Sequence, residues 1–122
     1  MKRVMVVDDD TFCLSALNEM LSARYRIALL ISPVVALDAL PKLAPHLIIT
    51  DYSMPQMKGD EFITQVRSNP ATADVPILAI SGGDVDSEAA QLCLSAGAKR
   101  YLMKPVRRQT LIDAIEECFG GA

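Results

Sequence analysis

Carboxylate, hydroxyl and ammonium groups directly follow short apolar runs in this 122-residue chain. Asp8, Asp9 and Asp10 follow the first run, Asp51 the third, Ser81 the fourth and Lys104 the last. A carboxylate nucleophile, a metal, a hydroxyl donor and a lysine cation together suit phosphoryl transfer, which requires in-line positioning and neutralised charge on three oxygens. The chemistry depends on whether the fold brings these groups to one place.

The aspartates predict a metal site if they meet. Clustered carboxylates raise each other's pKa values unless a cation neutralises them, and an all-oxygen site favours Mg²⁺ or Mn²⁺. Each carboxylate also has an ordinary structural interpretation. One of the triplet can cap a helix, and Asp51 can open a turn.

Five apolar runs recur along the chain, each near strand length and bounded by polar or turn residues. They cover residues 4–7, 27–31, 47–49, 77–80 and 101–103. The segments between them have helical spacing, as in Cys13, Leu17 and Leu21, or Leu111, Ile115 and Cys118. Alternating strands and helices predict a parallel sheet. Because the strands lack polar alternation, we expect helices on both faces, as in a doubly wound α/β domain.

Strand order decides whether the polar groups meet. In the order 2-1-3-4-5, strands one and three are neighbours, and their carboxyl ends share the crevice where open α/β sheets bind ligands. Asp51 would then lie beside Asp8 and Asp9, with Ser81 and Lys104 at the same edge. His46 precedes the third strand and is predicted to be a surface residue away from this cluster.

Helix boundaries have local signals. Ser32 and Pro33 are typical of an N-cap and a first helical residue, and Gly97 is typical of a helix end. Pro41 falls inside the second helical pattern, where a proline costs about 3 kcal/mol. The second helix is therefore predicted to be short or kinked.

Composition places the chain in the soluble globular class, with one domain spanning residues 1–122. A net charge of −3 gives no reason to expect nucleic-acid binding. Three cysteines without a CxxC pair favour reduced thiols over disulfides or a zinc site. The first apolar run is too short for a signal peptide or a membrane span. We therefore expect a cytoplasmic protein that does not enter a membrane.

Four segments, in this order, resemble the receiver domain of two-component response regulators over residues 4–119. They are VVDDD at 6–10, DYSMPQMKG at 51–59, ISG at 80–82 and AGAKRYLMKP at 96–105. The chain is similar to stand-alone, chemotaxis-type response regulators. The resemblance implies a flavodoxin-like (βα)5 fold, a single receiver domain without an output domain in this chain, and a signalling protein that is not a turnover enzyme.

The resemblance implies a role for each acidic residue. Asp51 would be the phosphoacceptor, attacking a phosphohistidine of a sensor histidine kinase or phosphotransfer protein to form an acyl phosphate. Asp9 would bind Mg²⁺ directly and Asp8 through water, with Asp51 and the backbone carbonyl of Ser53 among the ligands. Asp10 would be a bystander or a helix cap.

The same resemblance assigns a switch. Lys104, aimed inward by a cis bond to Pro105, would pair with phosphoryl oxygens. Ser81 would donate to the phosphoryl group and open a space that Tyr101 can enter, which reshapes a protein-binding face built from helix four, strand five and helix five. A permanently buried core tyrosine is the alternative for Tyr101.

Other family positions lie in the connecting loops. Met54, Pro55, Met57 and Gly59 would shape the loop after the acceptor, with the glycine supplying a positive φ. Ser53 and Gly83 would tune how long the phosphoryl group lasts. Gly82 and Gly83 together would loosen the loop after strand four.

Two other functions compete with the receiver. A phosphatase of the haloacid dehalogenase type would use Asp8 as nucleophile, but it requires D-x-D-x-T, and Thr11 lies one position early. A degenerate receiver would only bind a partner. The cognate kinase, the stimulus, the downstream target, the oligomeric state and the phosphoryl lifetime do not follow from the sequence, nor does whether the chain stands alone or is a fragment.

Overall fold

The computed structural model describes residues 1–120, in which five strands alternate with five helices. The elements are β1 (Arg3–Val7), α1 (Thr11–Leu21), β2 (Arg26–Leu30), α2 (Pro33–Leu43), β3 (Leu47–Asp51), α3 (Gly59–Ser68), β4 (Ile77–Ser81), α4 (Glu88–Ala96), β5 (Arg100–Met103) and α5 (Arg108–Cys118). The predicted alternation is therefore confirmed.

The five strands form one parallel sheet in the order β2-β1-β3-β4-β5, as predicted. Successive residues of a strand point to opposite faces, so each strand contributes to two cores. On β1, Val4 and Val6 enter the core with α1 and α5, whereas Met5 and Val7 enter the core with α2, α3 and α4. Both faces are covered, which explains the apolar strands.

Local sequence signals mark several helix ends. Asp10 caps α1 by accepting the N–H of Phe12 at 2.9 Å, and Ser32 caps α2, which begins at Pro33. Gly97 ends α4 with φ +124°, a backbone conformation that favours glycine. None of the helices within residues 1–120 is long and apolar enough to cross a membrane. All three cysteines are free.

Helix α2 is not short although it contains Pro41, so that part of its prediction is wrong, and the predicted kink stays a prediction. The helix spans 11 residues, the same length as α1. Pro41 lies in the last turn, so the helix loses only one backbone N–H donor. The loss falls near the helix end, where the backbone hydrogen bonds stop in any case. Leu40 is buried in the core, and its carbonyl accepts the N–H of Ala44 at 2.8 Å, which closes the helix beyond the proline.

Candidate functional site

Strand pairing brings the acidic residues together. The β1 and β3 strands are neighbours with Val7 opposite Thr50, so Asp8 and Asp51 come one step later on adjacent strands. Asp8, Asp9 and Asp51 each place a carboxylate oxygen within 4.8 Å of the others. Asp8 and Asp51 are buried, at 2% and 7% exposure, whereas Asp9 is exposed. The site is thus a partly enclosed acidic cleft open on the Asp9 side.

Lys104 reaches this cleft from the end of β5. Its Nζ donates to Asp8 Oδ2 at 2.9 Å and lies 3.2 Å from Asp51 Oδ1. The peptide bond between Lys104 and Pro105 is cis. The backbone N–H of Lys104 donates to the Ser81 carbonyl at 2.7 Å, which joins the ends of β4 and β5. A single ammonium therefore bridges two carboxylates that come from different strands.

The electrostatics of the cleft follow from burial and proximity. Burial raises the pKa of the Asp51 carboxyl, the charge of Asp8 raises it further, and Lys104 opposes both. For Lys104, burial acts to lower the pKa, but the two carboxylates outweigh it and hold the pKa above its ordinary value. Lys104 therefore remains a cation at neutral pH.

The donor set of the cleft fits a hard divalent cation. Three carboxylates and one ammonium carry a formal charge of −2, which a divalent ion balances. All of the acidic ligands are oxygens, the donors that Mg²⁺ and Mn²⁺ prefer. Both oxygens of Asp8 already accept hydrogen bonds, from the Asp10 N–H and from Lys104, whereas Asp9 is open to solvent.

Ser81 ends β4 next to the cleft, and Tyr101 lies on the neighbouring strand β5, opposite Ala79. Ser81 follows Ile80, which pairs with Asp51, and its side chain is 6% exposed. Its hydroxyl makes no side-chain hydrogen bond within residues 1–120, the part of the chain that the structure describes. Tyr101 is 5% exposed, and its hydroxyl donates to the Gly83 carbonyl at 2.7 Å. The ring is therefore buried in this structure, and whether it moves stays a prediction.

The loop after Asp51 depends on Gly59 for a reason other than the predicted one. Gly59 does not have a positive φ, so that prediction is wrong. Instead, a Cβ at this position would lie 2.6 Å from the Asp51 carbonyl oxygen and 2.8 Å from the Tyr52 Cα. The Gly59 N–H also donates to the Tyr52 carbonyl at 2.8 Å, and Met54 is buried in the core. Ser53 is exposed in this loop.

The two glycines after Ser81 have different surroundings. A Cβ on Gly82 would meet nothing within 4 Å, whereas one on Gly83 would lie 2.8 Å from Ser87 Oγ. Ser87 is the N-cap of α4, and its hydroxyl accepts the Ala90 N–H at 3.1 Å. Gly83 therefore lets the helix cap pack close to the strand end. The predicted looseness of this loop stays a prediction.

Sequence reasoning missed two contacts that hold the scaffold of the site. The Arg67 guanidinium donates to the Val75 carbonyl at 2.6 Å and to the Gly97 carbonyl at 2.9 Å. Ser32 Oγ hydrogen-bonds Gln56 Oε1, which ties α2 to the loop after Asp51. Sequence gave no local signal for either contact, since the partners are up to 30 residues apart.

The related proteins include response regulators. They also include longer proteins with other names, which this chain matches over only part of their length. The chain is 32% identical to the two-component response regulator ORR3 of Oryza sativa subsp. japonica, covering 85% of this chain and 80% of that protein. It is 34% identical to a probable cyclic di-GMP phosphodiesterase of Vibrio cholerae, covering 84% of this chain but only 23% of that protein. The chain thus spans less than a quarter of the latter relative's length.

Solved structures share the fold over nearly the whole chain. The chemotaxis protein CheY4 of Vibrio cholerae has a TM-score of 0.90 at 28% identity, covering 97% of this chain and 98% of that one. The receiver domain of the sensor histidine kinase PA1611 from Pseudomonas aeruginosa, which has a magnesium ion in its active-site cleft, has a TM-score of 0.89 at 23% identity, covering 98% of each chain. At that identity the second likeness shows the fold alone.

A family model places the cleft in a known context. The model of the response regulator receiver domain matches residues 4–116, a span that includes every residue of the acidic cleft. Both the family match and the strand order agree with the resemblance found in the sequence segments. The chain belongs to the response regulator receiver domain family.

Proposed function

We propose that residues 1–122 form a single receiver domain that accepts a phosphoryl group on Asp51 in the cytoplasm. The donor is a phosphohistidine on a sensor histidine kinase or a phosphotransfer protein, and the reaction depends on Mg²⁺. The observation that carries the proposal is the position of Lys104 between Asp8 and Asp51, with the Asp9 carboxylate beside them. This arrangement combines a nucleophile, a fixed cation and a metal-ligand set in one cleft.

In the proposed reaction, a carboxylate oxygen of Asp51 attacks the phosphorus of the phosphohistidine. The new O–P bond forms as the P–N bond breaks, and the electron pair of the P–N bond leaves with the imidazole of the donor. The product is an acyl phosphate on Asp51. The Lys104 ammonium lies 3.2 Å from Asp51 Oδ1, where it can neutralise charge on the incoming phosphoryl oxygens.

The proposed metal ligands are Asp9, Asp51 and the Ser53 carbonyl, with Asp8 acting through water. When bound, Mg²⁺, or Mn²⁺ in its place, supplies positive charge to the phosphoryl oxygens. The two hydrogen bonds on Asp8 support its indirect role, because both of its oxygens are already engaged. The exposure of Asp9 supports direct binding.

Ser81 and Tyr101 are proposed to carry the signal from the cleft. The Ser81 hydroxyl would donate to the phosphoryl group and draw the following loop toward the cleft. That loop includes Gly83, whose carbonyl holds the Tyr101 hydroxyl, so a loop movement acts on this hydrogen bond. The affected surface is built from α4, β5 and α5. We propose that it binds a downstream protein rather than nucleic acid.

The proposed domain promotes its own phosphorylation and dephosphorylation without turning over a separate substrate. Ser53 and Gly83 are proposed to influence the lifetime of the phosphoryl group. A phosphatase that used Asp8 as nucleophile is disfavoured, because both Asp8 oxygens are bound by Asp10 and Lys104. A receiver that only binds a partner would leave the cleft without a function.

The test is the intact mass of the protein after incubation with acetyl phosphate, with and without Mg²⁺. We expect one added phosphoryl group in the presence of Mg²⁺ only, and none in Asp51→Asn. Asp10→Asn is the matched control, since asparagine also caps helices and Asp10 is outside the cluster. No added mass, from acetyl phosphate or from a phosphohistidine donor, would favour the binding-only receiver. Steady hydrolysis of a phosphate ester would favour the phosphatase.

A further inference from the structure

Helix α2 has an outward face that is mostly apolar. Four of the exposed large hydrophobic residues of the described chain fall within residues 29–35, and two of them, Val34 and Val35, are 45% and 52% exposed in the first turn of α2. Pro41 and Ala44 are exposed at the other end of the helix. Exposed apolar residues concentrated in one segment are typical of an interaction surface.

Two charged residues divide this face. Asp38 and Lys42 are exposed and lie one turn apart, on the same side of α2 as Val34 and Val35. Within residues 1–120, the ion pairs involve Arg100 and Lys104 and leave Asp38 and Lys42 out. The face thus carries an acid and a base, each available to a partner.

Contacts at both ends hold α2 in place. At its start, the cap residue Ser32 hydrogen-bonds Gln56 in the loop after Asp51. At its end, the Arg3 guanidinium donates to the Ala44 carbonyl at 3.0 and 2.9 Å. The inner side buries Ala36 and Leu40. A surface on a fixed helix loses little conformational entropy on binding.

The charge order makes this face complementary to itself. When two copies of a helix pack antiparallel about a two-fold axis, a residue that precedes the axis by a given number of positions faces the residue of the second copy that follows the axis by the same number. With the axis near residue 40, Asp38 faces Lys42 of the second copy, and Lys42 faces its Asp38. Pro41 then lies beside the axis, and Val34 and Val35 of each copy lie at the ends of the contact, level with residues 45 and 46 of the second copy. The same patch serves both copies, as two-fold interfaces require.

We propose that two copies of this chain associate through α2, antiparallel, with two reciprocal ion pairs between Asp38 and Lys42 and with Val34 and Val35 of each copy at the two ends of the contact. None of these residues lies in the acidic cleft, so the association can be measured on protein that carries no phosphoryl group. The proposal therefore stands or falls separately from the proposed function.

Charge reversal provides the sharpest test. Asp38→Lys puts lysine opposite lysine across the axis, and Lys42→Asp puts aspartate opposite aspartate, so each variant alone is expected to remain monomeric. An equimolar mixture of the two is expected to associate, because both cross-axis pairs are then of opposite charge. Restored association in the mixture cannot come from contacts within one chain. Glu19→Lys, which reverses an exposed acid on α1, is the matched control and is expected to associate like the unchanged protein.

The measurement is sedimentation velocity of the full chain, up to about 1 mM, the range in which weak dimers of about 4 kcal/mol become populated. Val35→Ser is expected to raise the dimer dissociation constant by about tenfold or more, since two copies of the side chain are lost. Phe12→Ser, at an exposed site on α1, is expected to leave it unchanged. Far-ultraviolet circular dichroism and thermal melts establish that each variant is folded.

Three results would overturn the proposal. The first is an unchanged protein that is monomeric at every concentration. The second is association that Asp38→Lys and Lys42→Asp do not weaken, which would place the interface elsewhere. The third is a mixture of these two variants that stays monomeric although the unchanged protein dimerises.

Discussion

Gly59 packs against the backbone of Asp51, the proposed acceptor residue, so closely that a Cβ at Gly59 would lie 2.6 Å from the Asp51 carbonyl oxygen. The neighbour is backbone that belongs to strand β3 and cannot move away at low cost. The start of α3 therefore contacts Asp51 directly, and the glycine is required by space rather than by its backbone torsions.

Gly59→Ala is expected to destabilise the fold by about 1–3 kcal/mol, because the added methyl forces the acceptor loop away from α3. Urea denaturation measures the loss, and the rate of phosphorylation by acetyl phosphate is expected to fall with it. Gly82→Ala is the matched control, since a Cβ there meets nothing within 4 Å. Equal stability of the two variants would contradict the close approach.

Tyr101→Phe is expected to cost about 0.5–1.5 kcal/mol, because the Gly83 carbonyl loses its donor. Amide exchange in residues 82–87 is expected to quicken, since this hydrogen bond joins the loop to β5. Tyr25→Phe is the control, because the Tyr25 hydroxyl makes no side-chain hydrogen bond within residues 1–120. If exchange in residues 82–87 stays as slow as before, the hydroxyl does not hold the loop.

Arg67→Met is expected to cost about 1.5–3 kcal/mol while keeping the apolar stem, because the carbonyls of Val75 and Gly97 lose a charged donor. Chemical denaturation gives the value. Arg108→Met, at an exposed position of α5, is expected to be near neutral. If Arg67→Met lost no more stability than Arg108→Met, water would be replacing the guanidinium as the donor to these two carbonyls.

Asp9→Asn is expected to weaken Mg²⁺ binding about tenfold or more, equivalent to about 1.4 kcal/mol, because a charged ligand becomes neutral. Magnetic resonance titration of the backbone amides in the acidic cleft reports the affinity. Asp10→Asn keeps its capping function and is expected to bind Mg²⁺ nearly as tightly as the unchanged protein. Loss of binding in both variants alike would assign the metal to a different set of ligands.

His46 is expected to make stability depend on pH. Its Nδ1 accepts the backbone N–H of Arg3 at 2.9 Å, and partial burial, followed by the charge of the Arg3 guanidinium, holds the pKa of His46 below its ordinary value of 6.5. The unfolded chain therefore binds the proton more readily than the folded one. The contribution is fully present above pH 6.5 and is lost as the pH falls through the lowered pKa.

His46→Asn tests this expectation, because the asparagine oxygen can accept the same N–H without titrating. Thermal melts between about pH 5 and pH 7 are expected to show a smaller decline for the variant than for the unchanged protein. Parallel curves for the two proteins would exclude His46 as the source of the dependence.

Sequence alone determined the fold and the members of the acidic cleft. Apolar runs without alternation predicted buried parallel strands, and the segments around Asp8, Asp51, Ser81 and Lys104 identified a receiver. These features could be predicted because they are local: a strand end, a helix cap or a motif is encoded by adjacent residues. The cap at Asp10 and the helix end at Gly97 belong to the same class.

Only the tertiary structure decided how residues far apart in the chain meet. Gly59 against Asp51, Tyr101 on Gly83 and Arg67 on Gly97 all join different elements, and their distances depend on how helices pack on the sheet. The length of α2 likewise became clear only in the structure, which places Pro41 in the last turn, where only one backbone donor is lost. Local preferences amount to a few kcal/mol at most, so tertiary contacts of similar size can override them.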